Sequence, residues 1–527
     1  MRQSPILRAV LALSYLWRAS GLVFERAAAN ATTVALSRSA PEDVEPLVST
    51  HLSFSIEQDR WPDWTGIDSR NEFTHNALVN LQQLTGQPPK IRVGADSEDH
   101  TIFSPTVTVI EADFPPASSI TPYPEATQIF VGDGFYQLSK WLPSGTHMIW
   151  GVNLGLDNVT NAVNMATSIV KAFGSAAVKA ANVHLDLIEV GNEADLYKNN
   201  GLRPSNWTEA EYVTDWESIA GPVATAAGLQ AGSGVGLQGA AFAGQGFTPT
   251  GVFNLGILSS PPGQVIKQIS QHRYSGAFCS GGNFALASFM SKAAVRSNLT
   301  LFSPDVAEVR SKGFPYVLGE TNSIACHGAP GVSNTAGAAL WVIDYTLQAA
   351  TLGMVETYFH EGIGFKYNFI QPISLNRSTL DGTPLNPPQP AHIQPAYYAA
   401  ILVARAVGTT GSAQLIELDV PQDNISGYAI YEYGQLVRAV FINLDAWLTT
   451  STGTRPSVNL ALTGPAGATA TVRRLTIQHA DDVSGLTLGG QSYETANALV
   501  SGKETLQIVQ LSQGVNIASS EAILLSF

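Results

Sequence analysis

Between residues 51 and 360 the sequence alternates short apolar runs with helical stretches, and it does so eight times. The strand-like runs are 51–57, 90–94, 148–153, 187–190, 229–235, 265–274, 316–320 and 354–360. Helical stretches at 71–84, 158–173, 208–227 and 334–352 separate most of them. Leu78, Leu81 and Leu84 share one side of the first, and Gly353 stops the last. Eight strands with helices between them predict a (β/α)8 barrel. The run at 229–235 is the weakest, interrupted by Gly232 and Gly234, and the Pro-rich segment 101–123 reads as a rim loop.

After about residue 395 the pattern changes. A helix at 395–407 precedes short β-rich runs at 413–420, 427–433, 436–442, 458–462, 470–477, 506–511 and 522–527, punctuated by Gly, Pro, Asn and Asp. These predict an antiparallel β-sandwich appended to the barrel. At 527 residues the chain exceeds one ordinary domain. The expected division is a leader at 1–29, a barrel at 30–394 and the sandwich at 395–527. The first 18 or so residues after the leader are open to pairing with the β-domain.

A hydrophobic content of 45% with 13% charged residues indicates a filled interior. The net charge of −14 argues against nucleic acid or an anionic membrane as partner. Arg2 and Arg8, the apolar run 9–17 and the alanines at 27–29 resemble a secretory leader, too short to span a bilayer. Six sequons, at Asn30, Asn158, Asn206, Asn298, Asn376 and Asn424, fit a secreted glycoprotein. The two cysteines, Cys279 and Cys326, both follow predicted strand ends and are placed for a disulfide, two buried free thiols being the alternative. No Cys/His spacing resembles a zinc site, and neither metal nor cofactor is expected.

The chemistry is expected where strands four and seven end. Leu187, Ile188 and Val190 lead into Gly191, Asn192 and Glu193; residues 315–318 lead into Gly319 and Glu320. The C-terminal ends of barrel strands are where reactive groups collect. Two glutamates so placed suit glycosidic cleavage, which needs one carboxylic acid and one carboxylate flanking the bond. Asn192 is placed to hydrogen-bond a sugar hydroxyl beside the acid, and Tyr274 to donate to Glu320 and keep it ionised. His272 is expected to orient Tyr274, touch substrate or serve the structure; Glu57 to meet sugar hydroxyls or form a loop salt bridge; Glu189, inside its strand, to form an ion pair.

These residues carry a resemblance. Gly191-Asn192-Glu193-Ala194-Asp195-Leu196-Tyr197 together with Leu318-Gly319-Glu320-Thr321-Asn322-Ser323 resembles glycoside hydrolase family 79 of clan A, which holds β-glucuronidases and heparanase. The resemblance runs from Ser53-Phe54-Ser55-Ile56-Glu57 to Tyr367 and on into the β-domain. It implies Glu193 as acid/base, Glu320 as nucleophile and Glu57 near the sugar hydroxyls. It also implies that Tyr367 and backbone amides of the Gly362–Gly364 loop hold the uronate carboxylate. Two departures stand out: Ala194 replaces a common proline, and Ile324-Ala325-Cys326-His327 lacks a tyrosine that some relatives place there. His327 or the amide of Gly328 is expected to substitute for it, with no acidic group in contact. The implied function is a retaining exo-β-glucuronidase acting on glucuronate-bearing glycans. The alternatives are an endo-acting, heparanase-like enzyme and a catalytically silent glycan-binding protein.

Overall fold

The computed structural model describes residues 32–42, 44–465 and 467–527; the leader and the Asn30 sequon lie outside the described residues. Eight parallel strands close into a barrel: Leu52–Glu57, Ile91–Gly94, His147–Val152, His184–Val190, Gly236–Phe242, Ile266–Tyr274, Tyr316–Asn322 and Glu356–Glu361. We call these strands one to eight. Helices Glu72–Thr85, Val159–Gly174, Glu209–Ala226 and Ala336–Thr351 pack outside. Their starts follow the chain's own caps. Asn71 accepts from the N–H groups of Phe73 and Thr74, and Thr208 with Glu211 forms a reciprocal capping box.

Strand five is Gly236–Phe242, not 229–235. The predicted segment is a turn containing Gly232 at φ +84°, and the strand after it is two Gly, two Ala and one Gln with only Leu237 and Phe242 large and apolar, without β-branched residues. Its small residues answer to close packing: a Cβ on Gly239 would come within 2.9 Å of Ile269 on strand six. Burial overrides propensity there.

Helix Ala396–Val407 completes the ring. It packs on helices Glu72–Thr85 and Ala336–Thr351, and the Tyr397 hydroxyl donates to the Ala77 carbonyl at 2.7 Å. The same helix also meets the β-domain, where Arg405 donates to Gln491 Oε1 at 3.0 Å.

The β-domain is two stacked sheets. The larger joins Glu45–Pro46, Ala413–Glu417, Ile425–Glu432, Gln435–Asn443, Glu521–Ser526, Thr469–Thr476 and Thr487–Leu488, with Gln507–Gln510 also on Thr469–Thr476. The smaller holds Thr32–Ala35, Ser457–Thr463 and Val515–Ala518. Strand alternation sorts the side chains of the large sheet. Tyr428, Ile430, Val440, Ile442 and Leu524 join the barrel's core, whereas Ala429, Tyr431, Phe441, Ile523 and Leu525 pack toward the small sheet. A sheet buried on both faces fastens the domains together. Tyr428 adds a 2.6 Å hydrogen bond to Asp344, which also pairs with Arg296.

The Pro-rich segment is rim structure with strands of its own. Thr101–Phe103, Ile110–Asp113 and Gln128–Val131 form a three-stranded sheet beside the barrel mouth. Among the described residues no helix is long and apolar enough to cross a membrane.

Candidate active site

Strand four ends at Val190, and the chain turns sharply. Gly191 has φ +85°, and a Cβ there would meet Leu154 at 2.6 Å and the Tyr197 hydroxyl at 2.8 Å, so only glycine fits. Glu193 follows at φ +49°, a strained conformation for a side-chain-bearing residue, held by its N–H bond to the Ala241 carbonyl at 2.8 Å. Asp99 braces the same turn, accepting from the Asn192 amide at 3.2 Å and the Tyr197 hydroxyl at 2.6 Å. Strand seven delivers Glu320, 6% exposed, to the same mouth. One carboxylate oxygen of Glu193 lies within 4.8 Å of one from Glu320.

Both oxygens of Glu320 are engaged. Tyr274 donates its hydroxyl to Oε1 at 2.7 Å, and Arg92 donates Nη1 to Oε2 at 2.8 Å; His360 Nδ1 stands 3.8 Å from Oε2. Burial alone favours the neutral acid. His360, His272, the Arg92 guanidinium and the Tyr274 hydroxyl outweigh it and pull the Glu320 pKa down to about 2.

Arg92, on strand two, is fully buried and is the hub of the barrel interior. It donates to Ser55 Oγ at 2.8 Å, to Glu189 Oε1 from Nε at 2.9 Å and to Asn192 Oδ1 at 2.7 Å. An arginine can only donate, so the Asn192 carbonyl oxygen faces it and the amide NH2 is the group left for a sugar hydroxyl. A further carboxyl, Glu98, is wholly buried with Oε2 3.9 Å from Arg92 Nη2. A Cβ on Gly94 or Gly151 would overlap that oxygen, so these glycines hollow out its seat. With Glu189 and Glu320 already facing one guanidinium, burial first and the charge of Glu189 second push the Glu98 pKa well up.

Glu193 sits in a different environment. Its only side-chain hydrogen-bond partner among the described residues is His272 Nδ1, 3.0 Å from Oε1. Desolvation, then the negative charge of Glu320, raises its pKa to about 8. His272 is buried, and desolvation lowers its pKa to about 4, so near neutrality the imidazole is uncharged. His272 thus bonds Glu193 rather than orienting Tyr274. Glu193, His272 and Glu320 each bring one ligand atom within 4.8 Å of the others, a donor set of the kind that holds a cation. The Arg92 guanidinium already bound to Glu320 supplies positive charge there and repels one.

The opposite wall comes from strands one and eight. Glu57 Oε1 lies 3.2 Å from His360 Nε2, and its other oxygen accepts from Ser97. Tyr367 is buried with its ring 6.1 Å from those of Tyr274 and His360. Three expectations for a carboxylate receptor are overturned here. The Gly364 amide donates to Gln371 Oε1 at 3.0 Å, the Gly362 amide to Asn368 Oδ1 at 3.1 Å and the Gly328 amide to the Ile324 carbonyl at 3.0 Å, so none is free for substrate. His327 stacks on Phe365 at 3.8 Å and binds Glu125 Oε1 at 2.5 Å, so an acidic group does stand at this wall.

Arg92, Glu125 and His360 are the site residues that sequence reasoning missed. Arg92 carried a usable signal, a charge inside the apolar run Ile91-Arg92-Val93. Glu125 carried none, lying just after the Pro-rich segment.

Cys279 and Cys326 are disulfide-bonded and join the loops after strands six and seven, with Cα atoms 5.0 Å apart. Asn158, Asn206 and Asn376 are exposed, and Asn298 is half-buried. Asn424 is committed to structure: its Oδ1 accepts from the Lys292 amide at 2.9 Å, and its Nδ2 donates to the Met290 carbonyl at 3.1 Å. That sequon is unsuited to modification in the folded chain.

Comparison with known proteins agrees with this geometry. Residues 427–524 match the glycosyl hydrolase family 79 C-terminal beta domain. The chain is 29% identical to a beta-glucuronidase of Neurospora crassa over 512 residues, covering 88% of each protein. It is also 29% identical to a beta-glucuronidase of Aspergillus niger over 521 residues, 94% of this chain and 92% of the relative. In fold it is similar to a 4-O-alpha-L-rhamnosyl-beta-D-glucuronidase from Fusarium oxysporum, with TM-score 0.77, 24% identity and coverage of 94% of this chain and 100% of that one. The chain thus joins a β-domain that matches the glycosyl hydrolase family 79 C-terminal beta domain to a barrel that carries paired glutamates at its mouth.

Proposed function

We propose that this protein is a secreted, retaining exo-β-glucuronidase that removes terminal β-linked glucuronate, or its 4-O-methyl ether, from glycans. The observation that carries the reading is the carboxylate pair: oxygens within 4.8 Å, one pKa pushed up and the other down. Retaining enzymes hold the two carboxyls about 5–5.5 Å apart, too close to admit the water of an inverting mechanism. Glu193 protonates the glycosidic oxygen while Glu320 attacks the anomeric carbon and forms a glycosyl ester. Esterification removes the charge of Glu320, one of the causes that raise the Glu193 pKa. Glu193 is then a stronger acid, held as the base that takes a proton from the incoming water.

The uronate preference is supported by the two fungal relatives, both beta-glucuronidases. A buried carboxylate needs donors. The Tyr367 hydroxyl is one, and the backbone N–H groups of Cys326 and His327, which have no acceptor among the described residues, are two more. Terminal action is supported by the wall where Tyr123 packs on Gly364 and Glu125 binds His327, closing the mouth beside strands one and eight. Secretion is supported by the leader-like N-terminus and the disulfide. A panel of aryl β-glycosides tests the activity, with turnover expected for the glucuronide and little for glucoside, galactoside or xyloside. Proton NMR of the first-formed sugar tests the stereochemistry. An α-configured initial product would rule out retention.

A further inference from the structure

Strand six alternates its side chains, and the residue between His272 and Tyr274 faces away from the carboxylate pair. That residue is Arg273, and it lines a separate cavity of about 740 Å³ behind the strand, a volume in the range of small-molecule sites. Its Nε donates to Asn298 Oδ1 at 3.0 Å. Its two terminal nitrogens have no acceptor, and no carboxylate pairs with it among the described residues. Arg92, Arg203, Arg296 and Arg438 each hold a carboxylate, and the half-buried Arg377 and Arg455, which hold none, spend their terminal nitrogens on backbone carbonyls. Arg273 Cζ lies 5.8 Å from the Phe302 ring centroid, and its terminal nitrogens are left to receive an anion from outside.

The rest of the cavity defines that anion. The half-buried rings of Phe284 and Phe289 line it, with Trp341 buried behind Phe289 at a centroid distance of 5.1 Å. Such a wall receives the C–H face of a pyranose. The Asn298 amide nitrogen, whose oxygen is already bonded, is a donor or anchor for a ring hydroxyl. Ile324, on the loop leading out of Glu320, closes one side. We infer that this cavity is a second, non-catalytic binding site for a hexuronate unit, its carboxylate on Arg273 and its ring against Phe284 and Phe289. The choice of a hexuronate among ring-bearing carboxylates rests on the proposed glucuronidase activity; the need for a carboxylate rests on the cavity alone.

Equilibrium dialysis of the intact protein with labelled glucuronate tests it. Two equivalents per chain are expected at saturation, against one for Ser288→Trp, which fills the cavity from its exposed lip while aryl-glucuronide turnover stays unchanged. Arg273→Met should weaken the second site about ten- to a hundredfold, the effect of losing a hydrogen bond to a charged group. Glucose should not compete for it. The inference is overturned by a single equivalent in the unmodified protein, by two in Ser288→Trp, by equal competition from glucose, or by a glycan on Asn298, which would fill the same space. A protein that turns over glucuronides but binds one equivalent sinks this site and leaves the activity standing. One that binds a glucuronate at the Arg273 cavity without turnover does the reverse.

Discussion

Arg92 Nη1 holds Glu320 Oε2 at 2.8 Å, although the two residues come from strands two and seven and are separated by 228 positions in the chain. The guanidinium is wholly buried, so its charge acts through protein rather than water. It keeps Glu320 ionised where burial alone would neutralise it. It also ties Glu320 to Asn192 and Glu189, so both halves of the carboxylate pair depend on one side chain.

Arg92→Met should therefore damage both stability and chemistry. Removing one partner of a buried ion pair costs about 3–5 kcal/mol, measurable by urea denaturation. In whatever fraction folds, the Glu320 pKa should rise, and the acid limb of kcat/KM against pH should move upward. An unmoved acid limb would mean that Tyr274 and the histidines suffice.

The pH profile of the intact protein follows from the same charges. With Glu320 as the proposed nucleophile, activity should be lost on the acid side only as pH falls toward about 2. With Glu193 as the proposed acid, kcat/KM should decline as pH rises through about 8. Glu320→Gln removes the charge that helps raise Glu193, and a carbon-13 NMR titration of the variant should find the Glu193 pKa lower than in the parent protein. An unchanged value would disconnect the two carboxyls.

Turnover separates their roles. Glu320→Gln should fall to background with every leaving group. Glu193→Ala should keep far more activity toward an activated aryl glucuronide, which needs little protonation, and azide should accelerate its deglycosylation and yield a β-glycosyl azide. Near-normal turnover by Glu320→Gln would remove it as nucleophile.

Tyr367→Phe tests sugar choice. Losing one hydrogen bond to a charged carboxylate costs ~1.5–3 kcal/mol, about ten- to a hundredfold in kcat/KM. Glucuronide turnover should fall by that factor, and the weak glucoside turnover should barely change. Equal losses on both would make Tyr367 a packing residue.

The disulfide closes a separation of 47 residues. Intact-mass analysis after alkylation without reductant should detect no free thiol. Cys279→Ser should destabilise the protein by about 4 kcal/mol on the chain-entropy estimate, seen as a lower denaturation midpoint.

What the sequence by itself determined is what periodicity encodes. Alternation of apolar runs and helical faces specifies which side of each element is buried, and that suffices for a barrel, an appended sandwich and the rim positions of Glu193 and Glu320. Tyr274 beside Glu320 was legible too, because adjacent parallel strands place His272 opposite Glu320 and Tyr274 opposite Asn322. Strand five was illegible because its glycines and alanines carry no β pattern, and only the space left by Ile269 explains them. Tertiary structure alone decided the charge partners. Closure of the barrel brings Arg92, Glu98, Glu189 and Glu320 together from four separate elements, and folding of the rim insertion sets Glu125 on His327. It likewise decided that the amides of Gly328, Gly362 and Gly364 are spent on neighbouring acceptors. A local sequence specifies that a donor or a charge exists. Which group satisfies it depends on chain segments tens to hundreds of residues away, because burial forces each polar group to take the nearest partner that closure supplies.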